Sequence, residues 1–105
     1  MSNTYSKMVF SLRKVIDYQD GAIVSKTIVD NENSSLILYA LDANQKISGS
    51  TVHEDTVVQS IEGEVFVKIG QSEFLVREGE MILVSQDDSY SLRTENRTKF
   101  IIYVA

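Results

Sequence analysis

The chain contains neither cysteine nor proline among its 105 residues. The absence of cysteine excludes disulfides, thiolate nucleophiles, zinc ribbons and iron–sulfur clusters. A small domain without such links must be stabilised by burial of apolar surface, alone or together with oligomerisation. The absence of proline means that the turns have to be specified by Gly, Asn, Asp and Ser.

Long apolar runs and a basic surface are absent from the sequence as well. No stretch approaches the ~20 apolar residues that a membrane-spanning helix needs, and the broken apolar run in residues 1–12 is too polar and short for a signal-peptide core. The net charge is −5, and lysine and arginine are scattered singly. Binding to the phosphate backbone of a nucleic acid needs a basic face. We therefore expect a cytoplasmic protein that has neither a nucleic acid nor a membrane as its partner.

Turn-forming residues recur at short intervals and separate segments rich in Val, Ile, Leu, Tyr, Phe and Thr. These segments are residues 22–29, 36–41, 56–61, 64–69, 73–76, 81–84 and 99–104. Short strands with turn signals about every 8–12 residues are typical of an all-β sandwich or barrel. The pattern predicts one all-β domain, a sandwich or a barrel, over residues 21–105, preceded by an arm or a short helix over residues 1–20.

Two segments indicate how their strands are buried. In residues 64–69, Val65, Val67 and Ile69 alternate with more polar neighbours, so this side is predicted to face the core. Residues 36–41 are apolar throughout, which is typical of a strand covered on both faces.

The region from residue 47 to residue 105 resembles the small single-domain cupins. The Glu62-Gly63 turn between two strands resembles the first turn of the family, and residues 70–74 resemble the hairpin that follows. Residues 77–84, which include Gly79, resemble the second turn and the buried strand after it. Tight connections between twisted strands need positive φ, which glycine reaches at little cost. The resemblance implies an all-β double-stranded β-helix (jelly-roll) barrel of about ten short strands with an N-terminal arm, and it implies a homodimer.

The first cupin motif has lost its metal ligands in this sequence. When its last glycine is placed on Gly63, Ser50 and Val52 stand at the two histidines and Thr56 stands at the glutamate. None of these three side chains is a good ligand for iron, nickel, copper or zinc, which favour nitrogen or sulfur donors.

The second motif has lost its histidine too. When its first glycine is placed on Gly79, Tyr90 stands at the histidine, and the proline, glycine and asparagine of the motif are replaced by Ser85, Asp87 and Thr94. We therefore expect neither a metal nor any other cofactor.

A ligand pocket without a metal is the leading hypothesis for function. Val57, Gln59 and Ile61 share one face of their strand, and we assign that face to the barrel interior. A buried amide at Gln59 needs hydrogen-bond partners, so it is either a satisfied core group or part of a pocket. Tyr90 and, with a weaker signal, Ser50 would line the same cavity, unless Tyr90 fills the space of the lost metal. Small barrels can hold one small ligand, and its identity is open.

His53 is the only histidine and the only side chain whose ordinary pKa lies near neutrality. It is either a solvated residue at the rim or a general acid/base at the barrel opening. A metal-independent isomerase or epimerase of a sugar or small acid would need His53 and Tyr90 within ~7 Å of each other across one pocket. A third hypothesis is a degenerate barrel that acts as an interaction module. Whether the chain is an enzyme stays open. The acidic pairs Glu54-Asp55 and Asp87-Asp88 are predicted to be solvated turns.

Overall fold

The fold was analysed in a computed structural model that describes residues 3–49 and 51–105. This part of the chain forms nine strands and no helix: β1 (Ile23–Asp30), β2 (Ser35–Leu41), β3 (Lys46–Ile47), β4 (Thr56–Glu62), β5 (Val65–Ile69), β6 (Ser72–Val76), β7 (Met81–Val84), β8 (Tyr90–Arg93) and β9 (Thr98–Val104). The predicted all-β fold is confirmed. All seven predicted segments coincide with strands, whereas β3 and β8 were not predicted from the sequence. Within the described ranges, no helix has the length and apolarity to cross a membrane.

The strands form two antiparallel sheets that face each other. The five-stranded sheet has the order β1-β2-β9-β4-β7, and the four-stranded sheet has the order β3-β8-β5-β6. The inward side chains form one fully buried cluster, which includes Val58, Val65, Val67, Leu92 and Phe100. Each such side chain contributes about 1.5–3 kcal/mol when it is removed from water. The predicted core side of residues 64–69 is thereby confirmed.

Residues 3–20, called the arm below, run across the outer face of the five-stranded sheet. Their Ile16 is 2% exposed and packs with Leu38, Ala40 and Ile101, which point away from the barrel interior. The five-stranded sheet therefore has a second hydrophobic layer on its outside. This layer confirms the prediction that residues 36–41 are covered on both faces. The arm itself contains turns rather than a helix.

Cationic side chains of the barrel fasten the arm through main-chain oxygens. The Lys99 ammonium donates to the carbonyl oxygen of Arg13, and the Lys26 ammonium donates to that of Val15 at 2.6 Å. Lys99 is only 7% exposed, so this contact compensates for the burial of its charge.

A second set of contacts joins the arm to Glu62 at the end of β4. The Tyr18 hydroxyl donates to the Glu62 carboxylate at 2.6 Å, and the Arg13 guanidinium pairs with it at 3.0 Å. The hydrogen bond from Tyr18 is the main cause that lowers the pKa of Glu62. The pKa of Tyr18 is raised, mainly by burial and then by this bond.

Two turn glycines have the positive φ that the sequence predicts. Gly63 has a φ of 78° and Gly79 a φ of 83°. A Cβ atom on Gly63 would lie 2.7 Å from the carbonyl oxygen of Arg97, whereas one on Gly79 would meet nothing within 4 Å. Asp87, which stands at the glycine of the second cupin motif, has a φ of 76°. Asp tolerates this conformation better than most residues, so the turn geometry is retained without glycine.

Candidate functional site

The two segments that resemble cupin motifs meet at one end of the barrel. The backbone N–H of Val52 donates to the carbonyl of Asp88 at 2.9 Å, and the N–H of Asp87 donates to the carbonyl of Val52 at 2.8 Å. We call this end, where residues 51–56 meet residues 87–90, the mouth. Ser50 was predicted to line it and lies outside the described residues.

Two tyrosines from opposite sheets pack against the buried cluster behind the mouth. Tyr90 begins β8 and Tyr39 lies in β2, and both pack against the buried cluster between the sheets. Tyr39 stacks on Phe100 with 5.2 Å between ring centroids and 15° between ring planes. Ile47 and Ile69 are among the other partly buried side chains of this cluster. The predicted inward position of Tyr90 agrees with this packing.

Burial raises the pKa of both phenols. For Tyr90, the neighbouring Tyr39 phenol adds to the effect, because two phenolates would repel each other. Both side chains are therefore neutral at physiological pH, and each can donate one hydrogen bond and accept others. Within the described residues, the structure shows no side-chain hydrogen bond for either hydroxyl, whereas it shows one for Tyr18.

The prediction that Gln59 faces the barrel interior is wrong. Thr56, Val58 and Ser60 are the buried side chains of β4, and Val58 belongs to the cluster between the sheets. Gln59 therefore points to the outer face, where its neighbours in register are Met81 and Ile101. Both faces of β4 carry apolar side chains, because the outer face of this sheet is itself partly buried. Gln59 and Tyr90 thus do not meet in one cavity.

His53 lies exposed in the turn that precedes β4. An isomerase of the kind considered above needs His53 and Tyr90 to face one pocket, and the exposed position of His53 lends it no support. Of the acidic residues in the mouth turns, Asp55 accepts a hydrogen bond from the backbone N–H of Gln86 at 3.0 Å. Glu54 and Asp55 are exposed, as are Asp87 and Asp88, in agreement with solvated turns.

Part of the outer face of the five-stranded sheet is apolar and is not buried by the arm. The outward side chains of β4, β7 and β9 in this part form the bare face: Val57, Gln59, Met81, Leu83 and Tyr103. Val57 lies between Leu83 and Tyr103 in one row across the three strands. Met81 is 56% exposed, Leu83 53% and Tyr103 39%. No member of the bare face carries a charge.

Sequence reasoning missed Tyr39 and the bare face. The uninterrupted apolar run of β2 gives no sign of which side Tyr39 takes. A signal for the bare face was present in β7, where Met81 and Leu83 alternate with Ile82 and Val84. Its outward partners on β4 and β9 become visible only with the strand order.

The structure is similar to several solved proteins along almost its whole length. A conserved protein of unknown function from Streptococcus pyogenes matches with a TM-score of 0.91 at 20% identity, over 99% of this chain and 91% of that chain. A cupin superfamily protein from Desulfitobacterium hafniense matches with a TM-score of 0.89 at 13% identity, over 98% and 94%. The chain has the cupin fold. A cupin 2 conserved barrel domain protein from Leptotrichia buccalis agrees at a TM-score of 0.88 and 22% identity, over 91% of this chain and 47% of that one.

At these identities the likeness establishes the cupin fold and nothing about activity. Comparison with protein-family models and with curated proteins finds no match for the chain. The predicted small cupin-type β-helix is confirmed by the fold, and its function has to be argued from the side chains.

The side chains at the cupin metal positions do not fit a transition metal. Val52 offers no donor atom, and the Thr56 hydroxyl donates to the backbone carbonyl of Glu54 at 3.0 Å. Tyr90 is a neutral phenol, since its pKa is raised. Within residues 3–49 and 51–105, no three His, Cys, Asp or Glu side chains form a group suited to a metal ion.

Proposed function

We propose that this cupin barrel binds a small uncharged organic molecule at its mouth, between Tyr39 and Tyr90, without a transition metal. The observation that carries the proposal is that two neutral phenols from opposite sheets pack against the same buried cluster, one of them at the position of a cupin metal ligand. Such a pair offers directional hydrogen bonds beside the partly buried apolar side chains of this cluster. Few polar groups on an apolar lining are typical of small-molecule sites.

The surroundings of the two phenols favour a ligand without charge. Ile47, Ile69 and Val104 are partly buried and pack against the same cluster as Tyr39 and Tyr90. An ion in such surroundings would lose its hydration without gaining an opposite charge. A neutral molecule with a hydroxyl or amide group loses little hydration free energy, and it can replace its hydrogen bonds to water by hydrogen bonds to the phenols.

Phenol and benzoate are matched probes for this proposal, because they have similar size and differ in charge at neutral pH. We expect phenol to shift the ring NMR signals of Tyr39 and Tyr90 saturably, with little effect from benzoate. The Tyr90→Phe and Tyr39→Phe variants should each weaken phenol binding about fivefold, the effect of one lost hydrogen bond. Tyr103→Phe, on the bare face, is the control. Equal weakening by the control, or no saturable shift, contradicts the proposal.

The metal-free part of the proposal has a separate test. Elemental analysis of the protein, purified without chelator, should find no transition metal at a stoichiometric level. A metal present at one equivalent that is lost in Tyr90→Phe would instead place a metal in the mouth.

The bare face favours a second function, that of an interaction module that pairs with a copy of itself. Met81, Leu83 and Tyr103 expose apolar area on neighbouring strands, and contiguous patches of this kind mark interaction sites. A chain with a net charge of −5 is repelled by its own copies in general. The uncharged bare face lets two copies meet without placing like charges in contact. We therefore propose a homodimer in which the two bare faces cover each other.

Leu83→Asp tests this arrangement by sedimentation equilibrium. The unmodified chain should sediment as a dimer, and the variant should raise the dimer dissociation constant by about 30-fold or more. Val9→Asp is the control, since Val9 is fully exposed on the arm. A monomeric unmodified chain, or a dimer broken by Val9→Asp and not by Leu83→Asp, overturns the assignment to the bare face.

A further inference from the structure

The outer face of the four-stranded sheet carries a groove that extends to Tyr90 at the mouth. Its outward side chains include Lys46 on β3, Lys68 on β5 and Ser91 on β8. Two adjoining depressions lie along this face, and both are lined by Lys68 and Ser91. One has a volume of about 200 Å³ and includes Lys46. The other has a volume of about 300 Å³ and includes Gly70 together with Ser89 and Tyr90 of the mouth. We call their union the lysine groove.

The strand order brings together cations that are far apart in the sequence. Lys46 lies opposite Arg93 across β3 and β8, and Lys68 lies opposite Ser91 across β5 and β8. The two lysines therefore stand on either side of β8, about 10 Å apart in the direction of the inter-strand spacing, and they are offset by two residues along the strand. Their four-carbon side chains are long and flexible enough for both ammonium groups to reach one small ligand.

The two lysines differ from most cations of the chain in their contacts. Arg97 and Arg13 form ion pairs, while Lys26 and Lys99 donate to main-chain oxygens of the arm. Among the described residues, no ion pair or side-chain hydrogen bond involves the ammonium groups of Lys46 and Lys68.

One carboxylate, that of Glu73, lines the smaller depression, and it is already engaged. Glu73, which lies opposite Lys68, binds the Arg93 guanidinium through both oxygens at 2.8 and 2.9 Å. Glu95 accepts from the same guanidinium at 2.9 Å, and Arg93 also lies 4.0 Å above the Phe66 ring. Three cations thus face two carboxylates on this surface. The local charge is positive on a protein whose net charge is −5.

We propose that the lysine groove binds a small dianion, with the chemistry of a phosphate monoester or a dicarboxylate, between Lys46 and Lys68. Ser91 lines the groove on β8, the strand between those of the two lysines, and its hydroxyl donates a third hydrogen bond. Charge-assisted hydrogen bonds to phosphate or carboxylate oxygens are stronger than neutral ones. The turn glycine Gly70 leaves its side of the groove open, because a Cβ atom there would meet nothing within 4 Å.

The groove is too small to be a nucleic-acid surface. Its excess is one positive charge, whereas binding along a phosphate backbone needs an extended basic face. The ligand is therefore a single small molecule and not a polymer.

Titration of the isotopically labelled full chain with inorganic phosphate and with succinate, at constant ionic strength, tests the proposal. We expect saturable shifts of the Ser91 and Gly70 backbone amide signals, with a dissociation constant on the order of 1 mM for the better probe. Phosphate as the better probe indicates a phosphate ester, and succinate indicates a dicarboxylate. Both results support a dianion site.

Matched lysine variants separate the groove from the overall charge. Lys46→Ala and Lys68→Ala should each weaken binding about tenfold, with the amide spectrum otherwise retained. Lys14→Ala removes the same charge from an exposed position on the arm and should leave binding within about twofold. Equal weakening by all three variants, or shifts that do not saturate with either probe, overturns the proposal. The mouth shares Tyr90 with the larger depression, and it is tested separately by uncharged phenol and by the tyrosine variants.

Discussion

The outer faces of the two sheets differ in almost every respect. Outside the five-stranded sheet, Leu38 and Ala40 are fully buried beneath the arm. Outside the four-stranded sheet, Lys46, Lys68 and Glu73 are exposed. One face therefore contributes a second hydrophobic layer, whereas the other contributes charged side chains and a groove. The arm adds buried apolar surface on the outside of the five-stranded sheet. The outer face of the four-stranded sheet stays exposed to solvent.

Truncation of one outward leucine in each sheet tests this difference most strongly. Leu38→Ala should lower the free energy of unfolding by about 3 kcal/mol, because it leaves a cavity beneath the arm. Leu75→Ala, at a partly exposed outward position of β6, should cost about 1 kcal/mol. Urea denaturation measures both values. Equal losses would mean that the two faces contribute alike to stability.

Removal of one lysine from each outer face extends the comparison to charge. Lys99→Ala leaves the Arg13 carbonyl without its partner and removes an ammonium that lies 4.9 Å from the Tyr18 ring. We expect a loss of about 1–2 kcal/mol and faster hydrogen exchange at the Val15 amide, which donates to Ser11 within the arm. Lys46→Ala should change neither quantity. A similar exchange rate in both variants would contradict a fastening role for Lys99.

Acid should loosen the arm through Glu62. The pKa of Glu62 is lowered in the folded chain, chiefly by the Tyr18 hydroxyl, so its stabilising contribution is complete above its ordinary pKa of about 4.3 and is lost as the pH falls further. We expect a loss below about 1 kcal/mol. The Tyr18 ring NMR signals, followed from pH 6 to pH 3, should move with this titration. In Glu62→Gln they should stay constant, and an unchanged titration would exclude Glu62 as its source.

The smallest effect is expected on the four-stranded sheet. Glu73→Gln removes a partner of Arg93 in an ion pair whose side chains are 37% and 38% exposed, where screening by water leaves little net stabilisation. Its urea midpoint should agree with that of the unmodified chain within error. A loss as large as that of Lys99→Ala would show that the charged face also stabilises the fold.

The sequence was sufficient for the fold because its turns and its alternation are local signals. Gly63 and Gly79 mark tight turns through a backbone requirement, and Val65 and Val67 alternate with polar neighbours on a strand with one wet face. β3, with Lys46 and Ile47 alone, is too short to produce any periodic signal.

The candidate site was less predictable because it depends on which face of each strand turns inward. In β4, Val57, Gln59 and Ile61 point to one face, whereas Val58 and Ser60 point to the other. Both sets are partly apolar, because the arm covers part of the outer face and the bare face forms the rest. The choice between them is made by the pairing of β4 with β9, which the sequence does not show. The convergence of Lys46 and Lys68 likewise exists only once β8 lies between their strands.

The contacts of Lys26 and Lys99 with the arm have an evolutionary consequence. Both lysines bind main-chain oxygens, of Val15 and Arg13, and every residue type supplies such an oxygen. Recognition of this kind places no demand on the side chains at the two arm positions. These two contacts can therefore persist when the side chains at positions 13 and 15 change, whereas Ile16 is constrained by its burial against the sheet.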